Sequence, residues 1–180
     1  GCLPGPRLVF ALFERARRLR QTGCNRGCNR ERGTVSLSIL CVCLGNICRS
    51  PTGQAVLETV LPEADVDSAG TGDWHVGAPP YGPMQDAARA RGHDLSQQRA
   101  RQVTARDFHR FDLVLAMDDS NLASLQAMRP ADARADLALF LDVLEDGPRN
   151  VPDPYYTRDF DGVVRLIEAA ATLWADRLQR

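Results

Sequence analysis

Lysine is absent from this chain: all 22 basic residues are arginine. A nucleotide-hydrolysing loop of the Walker type needs a lysine on the phosphates, so that chemistry is excluded. Cysteine is absent beyond residue 48; the six are Cys2, Cys24, Cys28, Cys41, Cys43 and Cys48. Three crowded into one short stretch do not make the spaced disulfide framework of a secreted chain, so a reducing, cytoplasmic setting is expected. The three histidines, His75, His93 and His109, lack the spacing of a metal site, and neither metal nor cofactor is expected. No apolar run approaches the roughly 20 residues of a membrane span, so no membrane partner is expected.

What is present divides unevenly. Residues 1–34 hold 8 arginines against Glu14 and Glu31, a net charge of +6; residues 35–180 hold 14 against 21 acids, net −7. The acidic body makes nucleic acid an unexpected partner. The basic segment 1–34 contains an amphipathic stretch at residues 7–21 and the pair Cys24 and Cys28. It reads as an N-terminal extension, disordered or translated from a misplaced start, ahead of one domain at 35–180.

From residue 35 the pattern alternates. Strands are expected at 35–42, 64–68, 111–117 and 135–141, and helices at 51–61, 83–91, 119–128 and 160–178. Gly92 is expected to cap the second helix. Thr104 and Asp107 have capping-box spacing for a short extra helix. The last helix is expected to turn Val163, Leu166, Ile167, Ala170 and Leu173 inward. Strands separated by helices argue a parallel sheet covered on both faces, with ligands at the carboxyl ends of its strands.

At that end of the first strand lies Cys43-Leu44-Gly45-Asn46-Ile47-Cys48-Arg49-Ser50, followed by Pro51. Proline suits a first helical turn, where a missing N–H costs nothing. A loop between a strand and a helix N-terminus gathers unpaired N–H groups around one point, which favours an anion. The helix dipole and the Arg49 guanidinium stabilise negative charge there, on sulfur or on phosphate. Arg49 is a planar fork matched to two phosphate oxygens, and the Ser50 hydroxyl is placed to donate to sulfur. Gly45 and Asn46 are residues that tolerate a positive φ, as a loop with inward N–H groups requires. The chemistry implied is attack by Cys43 on a phosphoryl group cradled by Leu44, Gly45, Asn46, Ile47, Cys48, Arg49 and Ser50.

Residues 43–51 resemble the signature of the low-molecular-weight protein tyrosine phosphatases, and Asp153-Pro154-Tyr155-Tyr156 resembles the same family's general-acid loop. The similarity runs from about residue 36 to the C-terminus. It implies an α/β fold of three layers, a four-stranded parallel sheet in the order 2-1-3-4 with helices on both faces. It also implies a cysteine-dependent, metal-independent phosphatase that hydrolyses phosphotyrosine and small aryl phosphates through a cysteinyl-phosphate.

By that resemblance Asp153 donates a proton to the leaving tyrosine, with prolines on both sides restricting its backbone. Trp74 lies in a stretch similar to the family's variable aromatic loop, and with Tyr155 and Tyr156 it is a candidate wall of the substrate cleft. Asp118 and Ser120 are candidates to cap the next helix and brace the phosphate loop. The resemblance also implies that an exposed Cys43 forms a redox pair with Cys48. The partner implied is a tyrosine-phosphorylated protein, acted on by a monomer.

Other readings use the same loop. An arsenate reductase of this fold needs cysteines further downstream, and there are none. A protein-arginine phosphatase carries Thr where Ile47 stands. A non-catalytic phosphotyrosine-binding module has no need of both Cys43 and Asp153.

Overall fold

The computed structural model describes residues 36–179. The expectations for segment 1–34 and for residue 35 fall outside the described residues. Strand β1 (Ser38–Cys43) is buried along its whole length, as its nearly unbroken apolar run requires of a strand covered on both faces. It pairs in parallel with β2 (Asp65–Gly70), from Ser38 opposite Asp65 to Cys43 opposite Gly70, and with β3 (Leu113–Ala116) on its other side. Strand β4 (Asp136–Leu139) pairs in parallel with β3, so the order is β2-β1-β3-β4.

Because side chains alternate across a strand, β1 feeds two cores. Ile39, Cys41 and Cys43 face one layer, made by α1 (Arg49–Val60), α2 (Gly82–Ala90) and α6 (Phe160–Gln179). Leu40 and Val42 face the other, with Phe108 of α3 (Asp107–Arg110), Phe111, and Leu125 of α4 (Asp119–Met128). Each large side chain so buried contributes about 1.5–3 kcal/mol. One further short helix, α5 (Pro154–Thr157), precedes α6. No described helix is long and apolar enough to cross a membrane.

The expected order of strands and helices is the observed one apart from the unexpected α5, with further differences at the edges. Helix α1 starts at Arg49, before Pro51, which brings Arg49 and Ser50 into its first turn. The strands β3 and β4 are shorter than their apolar runs, because they end where pairing with the neighbouring strand ends. Gly92 takes φ +89 just after α2, as a left-handed helix end requires. The Thr104–Asp107 box forms only its return arm: the Asp107 carboxylate accepts the Thr104 N–H at 2.8 Å. Of the residues expected to face inward on α6, Val163, Ile167 and Ala170 are buried and Leu166 packs against the core, but Leu173 is exposed; Val164, Ala171, Trp174 and Ala175 complete the buried face. The indole of Trp174 fixes this face by donating to the Phe140 carbonyl at 2.8 Å.

Candidate active site

Strand β1 ends on Cys43, and the chain curls through residues 44–48 into α1. The sulfur sits at the floor of that curl, 3% exposed, so the expectation of an exposed Cys43 gives way. The residue belongs to the strand, and the loop closes over it. Its Sγ lies 3.0 Å from Ser50 Oγ and accepts the Asn46 N–H at 3.3 Å. Among the described residues, the N–H groups of Leu44, Gly45, Ile47 and Cys48 donate to no carbonyl or side chain. They are the donors that a loop of this shape offers to an anion.

The curl is held from three sides. Asn46 is buried in the left-handed conformation at φ 55, which asparagine tolerates better than most residues. Its Nδ2 donates to Ser50 Oγ at 2.9 Å and to Ser68 Oγ of β2 at 3.0 Å, and its Oδ1 accepts the Arg101 N–H at 2.9 Å. Arg101 is itself clamped between Asp67 and Asp107 by its guanidinium. Burial works against that charge, but the two carboxylates outweigh it and hold the guanidinium above its ordinary value. On the second side, Thr71 and Gly72 donate to the carbonyls of Cys43 and Leu44, each at 2.9 Å. On the third, the Tyr81 N–H donates to the Ile47 carbonyl at 2.8 Å.

Gly45 does not take the backbone conformation expected of it. It is not among the residues with positive φ; a Cβ there would stand 2.9 Å from the ring of the exposed His75, which would have to turn aside.

Arg49 is buried, and its contacts define the site's charge. One terminal nitrogen donates to Asp118 Oδ2 at 2.6 Å and to the Val151 carbonyl at 3.1 Å; the other donates to Asp153 Oδ2 at 3.1 Å. Burial opposes the charge, and Cys43, Asp118 and Asp153 outweigh that opposition, raising the guanidinium above its ordinary value. Asp118 also caps α4, its Oδ1 accepting the Asn121 N–H at 2.7 Å. Asp153 caps α5 in the same manner, accepting the Tyr155 N–H at 3.0 Å. Helix caps thus aim both carboxylates at one arginine. Cys48 is buried in the loop, and its thiol is pushed up to about 12, first by burial and then by Cys43 and Asp153.

The rim carries the aromatic residues. Tyr155 packs on Tyr81, with ring centroids 5.7 Å apart, and edge-on against Tyr156 at 5.5 Å. Trp74 is 70% exposed and lies across Gly72, where a Cβ would fall 1.7 Å from the indole. No ring contact joins it to the tyrosines among the described residues. Tyr81, Ser68 and Arg101 escape sequence reasoning, because their link to the loop is tertiary. His75 carries a weak signal, following Trp74 in the glycine-rich stretch. Among the described residues no three or more His, Cys, Asp or Glu side chains gather as a metal site.

A cysteine on an anion-receiving loop at the carboxyl end of a parallel sheet, with an arginine and a capped aspartate over it, is the framework of a cysteine-dependent phosphatase. Comparison with known proteins makes this specific. The family model described as low molecular weight phosphotyrosine protein phosphatase matches residues 38–180. The low molecular weight protein-tyrosine-phosphatase YfkJ of Bacillus subtilis is 40% identical over 139 residues, covering 73% of this chain and 89% of that protein. The low molecular weight phosphotyrosine protein phosphatase of Schizosaccharomyces pombe is 37% identical over 131 residues, covering 68% and 83%. The crystal structure of YfkJ superposes with a TM-score of 0.76 at 37% identity, over 83% of this chain and 98% of that one. The protein tyrosine phosphatase of Entamoeba histolytica, solved with Hepes in the active site, gives 0.75 at 32% identity, over 80% and 97%. The chain belongs to the low molecular weight phosphotyrosine protein phosphatase family.

Proposed function

We propose that this tyrosine phosphatase hydrolyses phosphotyrosine in proteins with Cys43 as nucleophile, Arg49 and the loop N–H groups as phosphoryl clamp, and Asp153 as general acid. The Cys43 sulfur attacks phosphorus in line with the tyrosyl oxygen. As the P–O bond breaks, Asp153 gives its proton to the departing phenolate oxygen. Arg49 and the N–H groups of residues 44–50 hold the three equatorial oxygens, so that charge is stabilised without rearrangement. Water then attacks the cysteinyl-phosphate, losing its proton to the Asp153 carboxylate. Phosphate leaves, and the returning thiolate is received by the Ser50 hydroxyl and the Asn46 N–H. Tyr155, Tyr156 and Trp74 line the approach for the aryl group, Tyr155 from the side where it packs on Tyr81. The protein works as a cytoplasmic monomer. Residues 35–180 suffice, in keeping with a family match that begins at residue 38.

The observation that carries this reading is the joining of three groups: a sulfur 3.0 Å from Ser50 Oγ in the loop, and Arg49 bonded at 3.1 Å to Asp153. The test is hydrolysis of a phosphotyrosine peptide and an aryl phosphate in the presence of a chelator. Wild type should turn over both and be inhibited by phosphate, and Cys43→Ser should bind phosphate without turnover. Turnover by Cys43→Ser at the wild-type rate would overturn the mechanism.

We further propose that Cys43 and Cys48 form a reversible disulfide under peroxide. Cys43 sulfur attacks peroxide oxygen, the O–O bond breaks, and a sulfenic acid forms with loss of water. Cys48 sulfur then attacks the sulfenic sulfur, releasing a second water and closing the S–S bond. Both thiols are free and buried, Cys43 at the end of β1 and Cys48 in the loop that follows it. Thiol reductant should restore peroxide-treated wild type but not Cys48→Ser; equal recovery, with no intramolecular link by mass spectrometry, contradicts the pairing.

A further inference from the structure

Arg158 ends α5 in the left-handed region, at φ 62. Glycine adopts that conformation freely and a long side chain does not. Among the described residues only Asn46 and Arg158 have positive φ without being glycine. Asn46 is explained by the loop, whereas Arg158 is exposed. Its guanidinium is nonetheless placed. It donates to the Tyr81 hydroxyl at 3.2 Å and lies 5.7 Å from the Tyr81 ring centroid and 5.1 Å from that of Phe160. Aromatic faces hold a guanidinium without neutralising it.

Most arginines with a fixed position here are held by carboxylates, as are Arg49, Arg91, Arg101 and Arg149. Arg158 has no carboxylate within 4.0 Å among the described residues. The neighbouring acids are engaged elsewhere: Asp159 caps α6 through the Gly162 N–H, and Asp161 meets Arg91 and Arg165. The free positive charge stands at the mouth of the site. Tyr81 beneath it packs on Tyr155 and bonds the loop at Ile47, and the charge is felt at Cys48. The body of the chain is otherwise acidic, net −7 over residues 35–180.

We propose that Arg158 selects acidic phosphopeptides, pairing with an Asp or Glu close to the phosphotyrosine while the phosphotyrosine itself occupies the loop. This rests on the phosphatase reading and names its substrate class. The left-handed backbone and the Tyr81–Phe160 bed keep the fork at the rim, ready for a carboxylate of the peptide, so little side-chain freedom is lost on pairing.

The test compares kcat/KM for phosphotyrosine peptides carrying Asp, Ala or Arg on either side of the phosphotyrosine. Each preference is a ratio within one protein, so a general loss of activity in a variant cancels. Wild type should prefer the Asp over the Ala peptide by about 2–5-fold, the range of an exposed ion pair, and lose that preference in high salt. Arg158→Gly, which suits the backbone, should bring the ratio to about one, and Arg158→Glu should favour the Arg peptide. An Asp-to-Ala ratio that is the same in wild type and Arg158→Gly overturns the proposal while leaving the phosphatase reading intact. Absence of turnover on every peptide by wild type overturns both.

Discussion

Replacing Asp118 tests whether Arg49 is held by charge or merely by space. Its two oxygens have separate tasks: one accepts from Arg49 at 2.6 Å and the other caps α4 through Asn121 at 2.7 Å. The side chains of Arg49 and Asp118 are 5% and 21% exposed, so the pair is largely shielded from water. Removing one partner of a buried pair commonly costs about 3–5 kcal/mol. Arg49 would keep Asp153 and the Val151 carbonyl, each at 3.1 Å, which brings the expected cost down to about 2 kcal/mol, that of a charged hydrogen bond. Asparagine caps a helix about as well as aspartate, so Asp118→Asn should lose only that amount. Asp118→Ala should lose a further ~1 kcal/mol for the cap. In a domain of this size 1 kcal/mol corresponds to about 2–4 °C in Tm. Expected drops are therefore about 4–8 °C for Asn and about 6–12 °C for Ala, read by thermal unfolding. The freed guanidinium should also lower kcat on an aryl phosphate by about 10-fold or more through misplacement. If Asp118→Asn melts and turns over like wild type, Asp153 and Val151 hold Arg49 on their own and the charge pairing is refuted.

Asp153→Ala should slow esters with poor leaving groups about 10²–10⁴-fold and good ones much less; an equal loss across a leaving-group series would show that Asp153 donates no proton. Arg101→Ala should reduce kcat while leaving the loop's residues unchanged in identity, because the Asp67–Arg101–Asp107 clamp fixes the N–H that Asn46 accepts; Arg101→Lys, restoring one contact, should recover part of it. Cys48 gives a pH dependence. Its thiol is raised in the fold to about 12, above the unfolded value, so its stabilisation is complete below about pH 8.5 and lost as pH rises toward the folded value. At about pH 10.5, wild type should have lost about 3 kcal/mol more than Cys48→Ala, measured by urea unfolding; parallel curves for the two proteins would contradict this.

The loop and the order of the longer elements are legible in the chain because each is local, whereas Asp118 and Asp153 stand out only by resemblance to a family. A strand, a Gly-Asn turn, Arg-Ser and a helix-starting proline occupy one contiguous stretch, and Pro152 and Pro154 bracket Asp153. The sheet order comes from resemblance to a family rather than from pattern. What stays hidden depends on packing across the sheet. Tyr81 reaches Ile47, and Arg101 reaches Asn46, over separations that leave no periodic trace. Helix α5 is only four residues long, too short for a period to appear. The inward face of α6 is set by Trp174 finding the Phe140 carbonyl, a choice that helical spacing alone leaves between neighbouring registers. Gly45 does not use the backbone freedom expected of it, since its φ is not positive.

The covalent step is the centre of the mechanism, and it is open to direct trapping. Wild type and Asp153→Ala would be mixed with excess aryl phosphate, quenched within one turnover, and digested for mass spectrometry. Expected is one phosphoryl group on the peptide containing Cys43, absent in Cys43→Ser. It should accumulate more in Asp153→Ala with a good leaving group, because water then lacks its base. Phosphate released at the full wild-type rate with no phosphoryl group ever found on Cys43 would contradict nucleophilic attack by this sulfur.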